Sequence, residues 1–279
     1  MLCHTLSLSL LLGLPVGVPV QDDKQQDDAP LRVSTPIGPV RVATGDEAKE
    51  LTAKVKKYLT PAVKRGKKLA RSKRDAKPEP DGDLLTRLEI VEQLGQVQHA
   101  DFVRPLLDVL QFDPSDAVRT KAAVSFQAQP EKQVVPAALK LLDDKEVLEK
   151  GTLAEPMIRV LTFYGTKDTA WQKLYKRFQE MGANAQVALL ESIGQRKDFD
   201  ALDMLLDNLD PPVPENVDDP NNPPADYWKA RWQAWQAFKP ALRTAVRNLL
   251  GQDFEDSKAA KEWIEKQGGV RALRKKAEG

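Results

Sequence analysis

The chain has 279 residues, 41% of them hydrophobic and 30% charged, and its formal net charge is +1. This provides enough apolar material for one repeat array or one to two globular domains, and it excludes a chain that is basic or acidic throughout. Any preference for a charged partner therefore has to come from a local cluster of charges.

The first twenty residues predict export. Leu6 to Val20 form an apolar run, but glycines and prolines interrupt it, and it is shorter than the about 20 residues that a membrane-spanning helix needs. The polar stretch QDDKQQDD follows at once, which favours a signal peptide over residues 1–20 and disfavours a buried first strand. The mature protein is then periplasmic or extracellular, without a transmembrane span. It has also lost Cys3, the only cysteine, which excludes disulfides and zinc-thiolate sites.

A linker and a basic segment come next. Residues 21–45 are polar, rich in proline and without helical periodicity, which predicts a flexible linker. Residues 46–76 predict basic helices, because Asp46 can cap a helix with an apolar residue at every fourth position from Leu51 to Leu59. Thr60-Pro61 is typical of a cap followed by proline, so a second helix is predicted to start there.

The charge of this basic segment makes it the best candidate for binding. Between Arg41 and Pro80 the sequence contains 13 lysines and arginines against five aspartates and glutamates, a density that attracts anionic polymers or acidic surfaces. A solvated helical face that only keeps the protein soluble has the same composition, so both interpretations stay open. In an exported protein, nucleic acid is a less natural target than an anionic envelope polymer. The candidate partner-binding residues are Lys64, Arg65, Lys67, Lys68, Arg71, Lys73 and Arg74.

Residues 84–209 predict helices in pairs. Corner residues recur at a loose period of about 30 to 40 residues, and the second helices carry long apolar stripes, two of them with a proline in an early turn. Each pair exposes too much apolar surface to stand alone, so the pairs have to stack on their neighbours. The predicted fold class is all-α, an α-solenoid of antiparallel helix pairs. The predicted corners are Gly95, Gln127, Gly165 and Gly194.

The clearest repeat unit lies in residues 113–144. It contains Asp116-x-Val118-Arg119, then Ala122-Ala123, a turn, and an apolar run that ends at Asp144. This pattern resembles the short HEAT-like repeat of the bilin-lyase type, and the resemblance covers residues 84–209, most closely in this unit. It implies a curved stack of antiparallel helix pairs. The Trp-Leu-Gly-Tyr pattern of tetratricopeptide repeats is missing.

A Pro/Asp-rich loop at residues 210–225 separates the repeats from the last helices. Its carboxylates offer oxygens for calcium, but their spacing fits no binding loop, so a solvated connector is favoured. The carboxylates considered are Asp207, Asp210, Glu215, Asp218, Asp219 and Asp226.

Residues 226–269 predict a Trp-rich helix pair and a capping helix. Trp228, Trp232, Trp235 and Phe238 recur at helical spacing, which favours the hydrophobic seam of a helix pair over an aromatic face that stacks on bases or sugars. A Leu-x-Gly-x-x-Phe turn starting at Leu249, followed by a short helix with a tryptophan, resembles the C-terminal element of exported HEAT-repeat proteins of bacteria such as planctomycetes. The resemblance implies that the short helix closes the solenoid.

The sequence offers no candidate catalytic site. His99 is the only histidine outside the predicted signal peptide and lies at a helix corner, which favours a capping role. The motifs of nucleophilic, metal-dependent and phosphate-binding enzymes are missing. We therefore predict a non-enzymatic scaffold for protein–protein interaction in the cell envelope or periplasm, without cofactor or metal. Binding of an anionic polymer through the basic segment is the alternative. A lyase or glycosylase on a HEAT-like scaffold is a third hypothesis, which requires a pocket with convergent polar groups.

Overall fold

The computed structural model describes residues 40–71, 83–214, 216 and 221–278. The predicted signal peptide, most of the predicted linker, and the candidate residues Lys73 and Arg74 lie outside these ranges. The described part is mostly helical, which confirms the all-α class. None of its helices is both long enough and apolar enough to cross a membrane, in agreement with the prediction.

The elements of the first half run from a short strand to the sixth helix. They are β1 (Arg41–Val42), α1 (Gly45–Lys54), a π-helical turn (Val55–Leu59), α2 (Thr60–Arg71), α3 (Leu84–Gly95), β2 (Val97–Gln98), α4 (Ala100–Phe112), α5 (Asp116–Gln127) and α6 (Glu131–Leu142). The second half continues with α7 (Lys145–Lys150), α8 (Ala154–Phe163), α9 (Asp168–Lys176), α10 (Ala183–Arg196), α11 (Leu202–Asp207), α12 (Ala225–Leu250), α13 (Ser257–Lys266) and α14 (Val270–Glu278). Two 3₁₀ turns, Phe178–Glu180 and Phe199–Ala201, precede α10 and α11.

The described part of the chain begins with a pair of two-residue strands. β1 pairs in parallel with β2, and the Ala43 nitrogen donates to the Gln98 oxygen at 3.0 Å. The linker prediction is therefore wrong for its last residues, whose backbone is held by the connection between α3 and α4. The first cap also differs, since Thr44 accepts a hydrogen bond from the Glu47 nitrogen and Asp46 lies in the first turn. A carboxylate there still interacts favourably with the helix dipole.

The predicted break at Thr60-Pro61 is wrong, because α1, the π-helical turn and α2 form one continuous helix. Proline lacks an N–H, and its ring crowds the carbonyl four residues earlier. The turn directly before Pro61 is widened, and the Thr60 nitrogen donates to the Val55 oxygen five residues back. This widening accommodates the ring while the apolar side chains on either side of it stay buried.

The helices form two series of neighbours. In the first, α1 contacts α3, α3 packs against α5, α5 contacts α8, α8 packs against α10, and α10 packs against α12. In the second, α2 packs against α4 and α4 contacts α6. Contacts of α4 with α5 and of α6 with α8 join the two series. The buried apolar side chains of both belong to one core, which extends from Ala48 to Leu273.

One predicted corner is wrong. Gly194 lies inside α10, and a Cβ there would lie 2.9 Å from the Nδ2 of Asn248 and 3.4 Å from the Cα of Ala245 on α12. Glycine at this position therefore lets α10 and α12 approach each other closely. The corner after α10 is Lys197, whose φ of 49° lies in the left-handed region.

The predicted C-terminal helix pair is wrong as well, because α12 runs without a break through Pro240. Trp235 and Phe238 before the proline and Leu242 and Ala245 after it are all buried. The helix loses one backbone hydrogen bond at the proline, which costs about 3 kcal/mol. Burying a large apolar side chain contributes roughly 1.5–3 kcal/mol. Several such side chains on one straight face therefore outweigh the cost of Pro240.

A buried ion pair and a buried side-chain amide connect the segments from α3 to α6. The Arg87 guanidinium and the Asp113 carboxylate are 0% exposed and form two hydrogen bonds of 3.1 Å. The Gln129 side chain is also buried, and its Nε2 donates to the carbonyls of Leu94 and Val97 at 2.8 and 3.1 Å. The Gln129 amide thus takes up a carbonyl that the end of α3 leaves unpaired and links this end to the turn between α5 and α6.

Candidate interaction surfaces

The cations of the basic segment are of two kinds: some are exposed to solvent, and others are half-buried. Lys64, Lys68 and Arg71 are exposed on α2, at the i, i+4 and i+7 positions of one face. Lys67 is half-buried, pairs with Asp108 on α4 at 3.2 Å and lies 4.8 Å from the centre of the Phe112 ring. Arg65 is also half-buried. Three of the seven candidate residues therefore form one exposed row, and Lys67 belongs to the contact between α2 and α4.

Sequence reasoning missed two further cations of this helix as site residues. Lys56 and Lys57 are exposed in the π-helical turn. The Lys57 Nζ lies 4.8 Å from the centre of the Tyr58 ring, and a hydrogen bond with Tyr58 raises the pKa of Lys57. From Leu51 to Arg71 the sequence contains eight lysines and arginines and no aspartate or glutamate. This run of one charge could have identified Lys56 and Lys57 as candidate binding residues.

A glycine sets the position of the basic helix. A Cβ on Gly66 would lie 1.5 Å from the backbone oxygen of Phe112 at the end of α4, so no other residue fits there without a shift of the backbone. Ala62 and Val63 are buried on the same side of α2. Small side chains thus let α2 lie directly on α4 and leave its cationic side exposed.

A groove of about 930 Å³ lies between the first half of α12 and two other segments, one at the start of α10 and one after α11. The wall from α12 consists of Tyr227, Trp228, Arg231 and Trp235. The opposite side is formed by residues 179–186 at the start of α10 and by residues 207–214 after α11. Aromatic rings and prolines with amides, carboxylates and one guanidinium at the edge are typical of a binding surface for a protein segment.

The predicted tryptophan seam is only half in the core. Trp235 and Phe238 are buried, and the Trp235 Nε1 donates to the Asn208 oxygen at 2.9 Å. Tyr227 and Trp232 are each 44% exposed. The Arg231 Nη1 donates to the Tyr227 hydroxyl at 3.0 Å, which orients the ring at the edge of the groove. The prediction of a hydrophobic seam therefore holds for Trp235 and Phe238, whereas Trp228 is half-buried and Trp232 is exposed.

The loop that bounds this groove is anchored to the C-terminal helices. Asp210 accepts hydrogen bonds from the backbone nitrogen of Ser257, at 2.9 Å, and from the Ser257 hydroxyl. The connector prediction is incomplete for Asp210, since its carboxylate caps the start of α13. Glu215, Asp218 and Asp219 lie outside the described ranges. In the parts of the chain that the structure describes, no three His, Cys, Asp or Glu side chains are grouped so that they could hold a metal ion.

The single histidine at the helix corner has the predicted capping role. The His99 Nδ1 accepts a hydrogen bond from the Asp101 nitrogen at 3.3 Å at the start of α4. Its ring packs against Phe102 with a centroid distance of 5.3 Å, and its own backbone nitrogen donates to the Gln129 Oε1. His99 is thus part of the corner that Gln129 organises.

A charged cluster surrounds the corner after α10. The Arg196 guanidinium lies over the Trp171 ring at 4.2 Å and pairs with Asp168 and Asp198, each at 3.2 Å. The Tyr175 hydroxyl donates to Asp198 at 2.6 Å. Burial, together with this hydrogen bond, raises the pKa of Tyr175 far above its ordinary value. The tyrosine therefore keeps its proton, and the cluster stabilises the corner.

Comparisons of the chain with protein-family models, with curated proteins and with solved structures found no match.

Proposed function

We propose that the protein is an exported α-solenoid of HEAT-like helix pairs that binds a partner protein and carries out no chemistry of its own. The observation that carries this proposal is the groove beside α12, where Tyr227, Trp228 and Arg231 form one wall. Tyrosine, tryptophan and arginine are the residue types that contribute most to binding energy in protein interfaces.

The solenoid part of the proposal is supported by the order of the helix contacts. Each helix of the first series packs on the next member of that series, two helices further along the chain in most cases. Short connections join successive helices, such as α5 and α6 or α8 and α9. Helices that contact mainly their near neighbours in this way are typical of repeat arrays.

The position of the groove also supports a binding role. The first half of α12, unlike its second half, carries few buried residues, and two of its large aromatic residues are 44% exposed. Exposed aromatic side chains cost solubility unless a partner covers them. The hydrogen bond from Arg231 to the Tyr227 hydroxyl orients this ring, which lowers the conformational entropy lost when a partner binds.

Co-purification from the producing organism tests the proposal. We expect the full chain to retain a specific protein that the Tyr227→Ala/Arg231→Ala variant loses. The matched control is Leu85→Ala/Arg104→Ala, which also removes one exposed apolar side chain and one arginine but lies on α3 and α4. If the control loses the partner to the same extent, or if no partner is retained by any form, the groove is not the binding site.

Export is tested separately by mass spectrometry of the native N-terminus. We expect the mature chain to begin near Gln21. A native chain that still begins at Met1 in a cytoplasmic fraction contradicts the proposed location and leaves the groove experiment unaffected.

A further inference from the structure

The exposed side of the π-helical turn and α2 carries a row of cations that the proposed scaffold function does not use. Lys64, Lys68 and Arg71 lie on one face of α2, at helical positions that separate them along the axis by about 6 and 4.5 Å. Lys56 and Lys57 extend the exposed cations into the π-helical turn. The row from Lys57 to Arg71 is therefore about 21 Å long.

Within the described ranges, two acidic groups near this row are already engaged by other cations. Asp108 on α4 pairs with Lys67 at 3.2 Å and with Arg104 at 3.4 Å. Glu50, on the preceding turns of the same helix, pairs with Lys54 at 2.8 Å. Among the described residues, Lys64, Lys68 and Arg71 have no carboxylate within salt-bridge distance, so their positive charge is available to a ligand.

The row is also rigid. The helix is continuous from Gly45 to Arg71, and Gly66 presses it against the backbone of α4. A polyanion that binds such a row orders few protein groups, since only the ends of the lysine and arginine side chains move. Spacings of 4.5–6 Å suit a chain molecule whose charges repeat every few ångströms, such as the about 3.4 Å between phosphates along one strand of a duplex.

The surroundings of the row favour a linear polymer over a lipid surface. A helix that lies in a membrane interface needs a broad apolar face with large side chains. The apolar face of α2, with Ala62 and Val63, is buried against the body. Leu69, 42% exposed, is the single large apolar side chain that the described part of α2 leaves in solvent.

We propose that the cationic row of the π-helical turn and α2 is a second binding site, separate from the groove, that takes a linear polyanion. The polymer lies along the helix axis, and its successive charges contact Lys57, Lys64, Lys68 and Arg71. Binding releases the counterions that the free polymer condenses, so the affinity depends steeply on salt.

The test of this site is the binding of the full chain to inorganic polyphosphate of defined length. Fluorescence polarisation measures the affinity over a range of salt concentrations. The variant is Lys64→Gln/Lys68→Gln/Arg71→Gln. The matched control is Lys132→Gln/Lys140→Gln/Lys261→Gln, which removes three exposed charges on α6 and α13. We expect the variant to bind at least about tenfold more weakly at low salt. The slope of log affinity against log salt should fall by about 2 to 3, since each lost contact contributes roughly 0.7–0.9.

The control variant should retain wild-type affinity and slope. Lys64→Arg/Lys68→Arg/Arg71→Lys, which keeps all three charges, should bind like the wild type. The proposal is overturned if both triple glutamine variants lose affinity equally, because the effect is then one of net charge. It is also overturned if the wild type binds vesicles of anionic and zwitterionic lipid but not polyphosphate. The triple glutamine variant should still retain the protein partner of the groove, so failure of either site is recognised independently of the other.

Discussion

The middle of the molecule and its two ends use the same residue types in opposite ways. Arg87 in the middle is 0% exposed and forms an ion pair with Asp113, whereas Arg71 on the first long helix is exposed. Trp171 is fully buried and donates from its Nε1 to the Thr166 oxygen at 3.1 Å, whereas Trp232 on the last long helix is 44% exposed. Arginine and tryptophan are therefore engaged inside the protein in the middle, whereas the same residue types are exposed on the first and last long helices.

This contrast follows from how far the neighbouring helices cover each one. A helix with neighbours on several sides has polar groups that must find partners inside the protein or incur a large desolvation cost. In the described part of the chain, the basic side of α2 and the first half of α12 are largely exposed. We therefore expect that each can be changed with little effect on stability. The following predictions test this division, from the largest expected effect to the smallest.

The substitution Asp113→Ala should produce the largest loss of stability. It leaves the Arg87 guanidinium buried without its carboxylate, and breaking a buried ion pair in this way costs about 3–5 kcal/mol. Urea denaturation of the full chain measures the change. Asp108→Ala, which removes a partly exposed carboxylate from α4, is the control and should cost less than about 1 kcal/mol. Equal losses from both substitutions would show that the middle is not the part of the molecule that depends on buried charge.

The substitution Gly66→Ala should have the next largest effect. Its Cβ would overlap the backbone oxygen of Phe112, so α2 has to move away from α4 at a cost of about 1–3 kcal/mol. Hydrogen exchange should show loss of protection in α2 and little change in α10. Gly45→Ala, with no atom within 4 Å of the added Cβ, is the control and should leave α2 protected. An unchanged α2 in the Gly66 variant would contradict the close packing that positions the cationic row.

A smaller effect is expected from Glu155→Gln, and it depends on pH. Burial raises the pKa of Glu155 above its ordinary value of 4.5, and the neighbouring Glu191 adds to the increase, although Arg159 opposes it. The folded state thus holds the proton more tightly than the unfolded state. The stability that proton binding contributes is fully present below about pH 4.5 and is lost as the pH rises through the folded pKa.

Urea denaturation at several pH values between 4 and 7 checks this prediction. The unfolding free energy of the wild type should fall relative to that of Glu155→Gln as the pH rises. Glu262→Gln, at an exposed position on α13, should give a curve parallel to the wild type. Parallel curves for Glu155→Gln and the wild type would contradict the effect of burial on this carboxyl.

The smallest effect on stability is expected for Trp232→Ala. Substitutions at exposed positions without special contacts usually change stability by less than about 0.5 kcal/mol. Trp171→Ala, measured alongside, should cost about 3–5 kcal/mol, because it removes a buried aromatic side chain and leaves a cavity. Thermal unfolding of both variants gives the comparison. A large loss from Trp232→Ala would place this ring in the core and remove a reason to regard the first half of α12 as a binding surface.

The helices themselves were predictable to a large extent from the sequence. The apolar stripes that begin near Phe102, Val134 and Phe199 each fall in a helix or its first turn, and His99 is at the corner where it was expected. These features depend on residues within a few positions of one another. Hydrophobic periodicity and capping are local properties, so they can be recognised in the sequence without knowledge of the tertiary contacts.

The errors concern places where a distant neighbour outweighs a local signal. The proline in α12 is a helix breaker by local rules, but the helix packs against α10 and has buried side chains on both sides of the proline, which keep it continuous. A glycine such as Gly194 is typical of a corner, but here it lies inside α10 and lets α12 approach closely. In both cases the helix that makes the contact is distant in the sequence, so the local pattern does not indicate the contact.

The candidate site shows the same limit. The sequence by itself determined that the protein is helical, that its first helices are strongly basic and that aromatic residues recur near its end. Only the tertiary structure decided that Lys67 faces Asp108 while Lys64, Lys68 and Arg71 face solvent, and that Trp235 is buried while Trp232 is not. The physical reason is that composition and periodicity describe one helix at a time, whereas exposure depends on which helix packs against which.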